Sequence, residues 1–156
     1  MIIDSYKTLS ASASFELKEK GSRFIALATP TASKAEAEET VAKISKKYYD
    51  ATHNCFAYII GIDAGQETRF NDDGEPSGTA GKPILQAIAG MELTNVLIVV
   101  TRYYGGTKLG TGGLIRAYGG AAMQALAAAH IETRFLKDVV QLESSYHNLT
   151  TVLNAV

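Results

Sequence analysis

The chain has 156 residues, 46% apolar and 20% charged, and its 15 basic and 16 acidic residues leave a formal charge of −1. That length suits one ordinary domain, or one domain with a fragment of a second, and the balance excludes both a disordered chain and a uniformly basic nucleic-acid binder. The longest aliphatic run, Val96–Val100, is five residues, against about 20 for a membrane helix. The single cysteine, Cys55, excludes an intramolecular disulfide and a multi-cysteine zinc site.

The first residues lack a basic stretch followed by an apolar core, so a cytoplasmic protein without a secretory signal is expected. Phe15 and Leu17 alternate with charged residues, and the apolar stretch Phe24–Ala28 follows the turn residues Gly21 and Ser22, which predicts a β-hairpin. Ser33 followed by Glu36 is a capping-box pair, and Ala37, Val41, Ile44 and Tyr48 recur behind it at helical spacing, which predicts an amphipathic helix over 34–48. Asn54–Ile62 reads as a strand closed by the turn Asp63-Ala64-Gly65, with a short strand at Thr68–Asn71 pairing back on it. A short helix is expected over 83–89, with Gly90 as its C′ residue. Asn95–Thr101 is apolar on both faces, as a central strand covered on two sides would be. A long Ala-rich helix is expected over Thr111–Ala129, then a polar joint at Thr133–Lys137, a strand at Asp138–Ser144 and a helix starting near Tyr146. Those last two elements are too few to bury a core of their own. They are therefore expected to begin a second, truncated domain, with the boundary between 1–135 and 136–156.

Eleven of the fourteen glycines fall between Gly74 and Gly120. The densest part joins the apolar strand to the Ala-rich helix, and such a strand-loop-helix can present backbone N–H groups to an anion. Its candidate anion-binding or phosphate-binding residues are Arg102, Gly105, Gly106, Lys108, Gly110, Gly112, Gly113 and Arg116. No acidic residue lies between 102 and 116, so this stretch carries +3 in a chain of net −1. The other reading is that the glycines serve tight turns and the cations are solvated. The P-loop pattern fails, because the glycine it needs upstream of Gly81-Lys82 is replaced by Pro76, and Pro83 follows. The dinucleotide pattern started at Gly110 fails at Ile115.

Asp72, Asp73 and Glu75, beside Ser77, Thr79 and Lys82, form a second candidate segment. Clustered carboxylates can hold a divalent cation or act as a base, and in an Asp/Gly/Pro turn they can equally be solvated. His53 and Cys55 share one face of a strand, either as a thiol–imidazole pair or as a core thiol beside a hydrogen-bonded histidine. Tyr103-Tyr104 could stack on bases, or place one ring inside and one outside. No metal or cofactor is expected.

Four segments carry a family resemblance: Lys20–Ala26 (KGSRFIA), Ala51–Tyr58 (ATHNCFAY), Asp72–Leu85 (DDGEPSGTAGKPIL) and Val99–Tyr118 (VVTRYYGGTKLGTGGLIRAY). In these the chain resembles the IMPACT family, in its bacterial YigZ-type form, over about residues 1–135. The resemblance implies an α/β (α+β) two-layer sandwich like the second domain of ribosomal protein S5, followed by a ferredoxin-like domain. It also implies a role in translation regulation, with RNA or a ribosome-associated protein as partner and no membrane. The leading expectation is a translation-associated binding protein that uses the basic Gly-rich segment. The alternative is a small enzyme of phosphate-bearing substrates, with Asp72 and Asp73 as metal ligand or base.

Overall fold

Side-chain alternation along the most apolar strand organises the molecule. In the computed structural model, which describes residues 5–136, that strand is β6 (Val96–Tyr103), and all but its last residue are buried. Successive residues of a strand point to opposite faces. Val96, Ile98 and Val100 accordingly enter one core, while Leu97 and Val99 enter another.

β6 is the middle of a five-stranded antiparallel sheet. Its neighbours are β3 (Ser22–Pro30) and β4 (His53–Ile60), and the edges are β2 (Ala13–Glu19) and β5 (Glu67–Asn71), giving the order β2-β3-β6-β4-β5. The hairpin β2-β3 turns at Lys20 and Gly21, which both have positive φ, 47° and 80°. Positive φ at both central residues is the turn geometry whose twist suits a two-residue hairpin.

Two helices cover the larger core. α2 (Gly81–Gly90) buries Pro83, Ile84, Ala87 and Ile88. α3 (Gly110–Ala127) buries Leu114, Ala117, Tyr118, Ala121, Ala122, Ala125 and Leu126, a single stripe at helical spacing. The alanines of that stripe let the helix backbone lie close to the sheet. On the opposite face α1 (Lys34–Lys47) buries Ala37 and Ile44 against Phe56, Tyr58, Leu97 and Val99. Helices therefore lie on both faces of the sheet, and α1 adds a layer to the two expected. The α1 start matches its sequence signature. Ser33 Oγ accepts the Glu36 N–H at 3.1 Å, and the Glu36 carboxylate accepts the Ala32 N–H at 3.1 Å.

Two local expectations are corrected. Gly90 is the last residue of α2 rather than its C′ residue; Glu92 holds that place with φ 55°. The Glu92 N–H bonds to the Ala89 carbonyl and the Leu93 N–H to the Ile88 carbonyl, which is a Schellman ending. A two-stranded antiparallel sheet pairs β1 (Ser5–Leu9) with β7 (Ile131–Phe135), so Thr133–Phe135 is strand rather than joint. The strand and helix expected beyond Asp138 lie outside the described residues.

The loop after β6 meets the β2-β3 turn backbone to backbone. A Cβ on Gly105 would stand 1.9 Å from the Gly21 carbonyl carbon and 2.1 Å from its oxygen. Neither loop can retreat without breaking strand pairing. Gly105→Ala is therefore expected to lower stability by about 1–3 kcal/mol or more, as overpacking against rigid groups does, with the loss read in urea unfolding.

Candidate functional site

Strand register builds the floor of the site. Phe24 of β3 and His53 of β4 both pair directly with Arg102 of β6, so the three side chains stand in a row on the face that α3 covers. Two elements close over this row: the loop 72–80 between β5 and α2, carrying Glu75, and the first half of α3, carrying Tyr118.

Glu75 is the hub. Its side chain is only 4% exposed, and that of Arg102 is 6% exposed. Arg102 Nη1 donates to both carboxylate oxygens, at 2.9 and 2.7 Å. The Tyr118 hydroxyl donates to Oε2, and His53 Nε2 faces Oε1 at 3.3 Å. His53 Nδ1 lies 2.7 Å from the Asp73 carbonyl, which can only accept, so this nitrogen carries a hydrogen. The remaining donors of Arg102 reach Ser22 Oγ, from Nε at 3.3 Å and Nη2 at 3.2 Å. The guanidinium also lies 5.5 Å from both the Phe24 and Tyr104 ring centroids, between two aromatic faces. Burial pushes the Tyr118 hydroxyl well above the usual phenol range, reinforced by Cys55 and Glu75, so it stays a donor.

The structure redistributes the predicted site residues. Arg102 belongs to the buried pair with Glu75 and is not a free cation, so the expected +3 patch reduces to Lys108 and Arg116. Among the described residues these two form no ion pair. Gly105 serves the close packing with Gly21, and its N–H donates to Ser22 Oγ at 3.2 Å, so it is not an anion seat. Gly106 and Gly110 have positive φ, 88° and 75°, shaping the loop. Gly112 and Gly113 lie in the first turn of α3, which has no side-chain cap. The N–H groups at such a start have no intrahelical partner.

Asp72 caps α2 from a distance. Its Oδ1 accepts the Ala80 and Gly81 N–H groups at 3.1 and 2.8 Å, and its Oδ2 accepts that of Gly78 at 2.9 Å. Asp73 Oδ2 accepts the Asn54 N–H at 2.7 Å. Neither lines the cavity described below, and among the described residues no group of three histidine, cysteine or acidic side chains is placed to hold a metal ion. Thr79 is buried, with its hydroxyl 2.6 Å from the Pro76 carbonyl, while Ser77 and Lys82 are exposed. Cys55 is fully buried and donates to the Asp72 carbonyl at 3.0 Å. Burial raises the thiol far above its ordinary range, with Glu75, Asp73 and Asp72 adding to the effect, so the thiol–imidazole nucleophile is excluded. Of the two tyrosines, Tyr103 donates to Asp50 at 2.8 Å and Tyr104 is half exposed.

Beside the hub opens a cavity of about 510 Å³, lined by Thr52, His53, Glu75, Arg102, Tyr104 and Lys108 on one side. Pro76 and the start of α3 (Leu109, Gly110, Thr111 and Leu114) complete it. Tyr118 and Thr52 were missed in the sequence. Tyr118 shows there only as one more position of an apolar helical stripe.

The Impact N-terminal domain model matches residues 20–126, which contain every side chain of this cluster. The chain belongs to the IMPACT family. It is 40% identical over 153 residues to the IMPACT family member YvyE of Bacillus subtilis, covering 98% of this chain and 70% of that one. It is 41% identical over 134 residues to the IMPACT family member YigZ of Escherichia coli, covering 85% and 66%. A crystal structure of a hypothetical protein superposes with a TM-score of 0.82 at 36% identity, covering 98% of this chain and 75% of that one. The chain thus spans about two thirds of the length of these IMPACT family members.

Two outcomes follow for the hub. Glu75→Gln leaves Arg102 buried without a counter-charge and is expected to cost about 3–5 kcal/mol in denaturant unfolding. Cys55 is expected to resist thiol reagents at pH 8 in the native protein and to react only at the rate of opening, a measurement made by time-resolved labelling.

Proposed function

We propose that this domain acts in translation regulation, contacting RNA phosphates or a ribosome-associated partner through the segment from Lys108 to Arg116. One observation carries the reading: Lys108 and Arg116, which form no ion pair among the described residues, flank the uncapped start of α3. Positive side chains at a helix N-terminus oppose its dipole, and a bound anion relieves that opposition. Membership of the IMPACT family supplies the setting in translation. The same kinship supports a fold relation to the second domain of ribosomal protein S5.

The Glu75–Arg102 pair has a supporting part here. It removes Arg102 from the contact surface and holds the loop 72–80 against the sheet, so the anion seat has a fixed wall. Binding then depends on Lys108 and Arg116 for its charge.

Association with single-stranded RNA or purified ribosomes is expected to weaken steeply with salt, because phosphate contacts release counterions. Changing Lys108 and Arg116 together to Ala is expected to reduce the slope of log K against log salt by about 1.5. Fluorescence anisotropy and co-sedimentation at graded KCl measure this. An unaltered slope removes the segment from the contact.

A further inference from the structure

We propose that the cavity beside the hub holds one nucleotide unit, with its phosphate at Lys108 and Thr111 and its base on Tyr104. This deepens the RNA-phosphate reading and rests on it for the charge of the ligand.

Hydrogen-bond accounting sets the ligand's sign. Glu75 is the one acidic side chain lining the cavity, and a carboxylate offers about four acceptor positions. Arg102 Nη1 and the Tyr118 hydroxyl fill three, and His53 Nε2 stands before Oε1 at 3.3 Å. What remains facing the cavity donates. Lys108 has no acidic partner among the described residues. Thr52 Oγ accepts the Tyr104 N–H at 3.0 Å, which leaves its own O–H to give. Thr111 adds a hydroxyl, and Gly110 and Thr111 add backbone N–H groups at the start of α3. A set of donors this large matches the several oxygens of a phosphate better than the two of a carboxylate.

The side chains opposite set the ligand's shape. Tyr104 is 48% exposed while lining the cavity, and its ring lies 5.5 Å from the buried Arg102 guanidinium. That backing steadies the ring as a stacking platform. Leu109, Leu114 and Pro76 make the adjoining wall apolar. A planar, partly apolar body joined to a phosphate is the chemistry of a nucleotide, and about 510 Å³ lies within the range of about 300–1,000 Å³ usual for small-ligand sites. The ligand has two sources, a free nucleotide or one nucleotide of an RNA strand.

Calorimetric titration of the full chain with AMP, UMP, ribose 5-phosphate and a five-nucleotide RNA tests the assignment. The nucleoside monophosphates are expected to bind about tenfold or more tighter than ribose 5-phosphate, the gain a stacked base supplies. Tyr104→Ala is expected to erase that gain and Tyr104→Phe to keep it, while Lys108→Ala weakens every phosphate ligand. If the RNA displaces AMP and binds tighter, the strand is the source; if AMP binds and RNA does not displace it, the free nucleotide is. Nucleoside monophosphates binding no better than ribose 5-phosphate, with Tyr104→Ala silent, overturn the nucleotide unit. The salt-dependent RNA binding of the previous section survives that result. Its own failure is read separately, from an unchanged salt slope.

Discussion

The structure turns on a carboxylate and a guanidinium that meet out of reach of water. Removing charges from water is costly, and a buried pair regains that cost only when its remaining donors and acceptors are met. Here they are met by parts of the chain that have no other reason to converge. Ser22 comes from a hairpin turn, Glu75 from a loop between strand and helix, Tyr118 from the middle of α3 and His53 from a neighbouring strand. Apolar side chains of similar volume would pack this space with comparable stability. What the polar cluster adds is direction, since each hydrogen bond admits one placement of loop 72–80 and one depth of α3 over the sheet.

That arrangement explains why the cavity is cationic although the chain is not. Among the described residues the one acid at its wall is paired with Arg102 and Tyr118, so Lys108 and the uncapped first turn of α3 set the local field. A cleft bounded by protein focuses such a field more strongly than an open surface does. On the proposed reading, the contact falls on a few residues at one end of α3.

Much of the fold could be read from local patterns. The unbroken apolar run of β6 marked a strand covered on both faces, and Ser33 with Glu36 marked the start of α1, because both signals lie within a few residues. β1 and β7 left no such mark. They are short and mostly exposed along β7, and they pair across more than 120 residues of chain, which no local window contains. The end of α2 was misplaced by two residues because Glu92 adopts a conformation that glycine usually supplies. The site was legible by composition and not by pairing. Counting charge from 102 to 116 found three cations, but the partner of Arg102 is 27 residues upstream. Asp72 and Asp73 looked like ligands in sequence because the backbone N–H groups they accept, from the loop and start of α2 and from Asn54 of β4, meet them only in the fold. Tyr118 sat unnoticed in a helical stripe, since periodicity records which face a residue occupies and not what its hydroxyl meets.

The contact between Gly21 and Gly105 has a mechanical consequence. With no side chain between them, the hairpin tip and the segment leading to α3 pack backbone against backbone. A molecule pressing on the tip of the hairpin pushes directly on the strap that carries Lys108. Both turns sit at one end of the β3-β6 pairing, so insertions in either turn would have to be matched in the other for the basic end of α3 to keep its position.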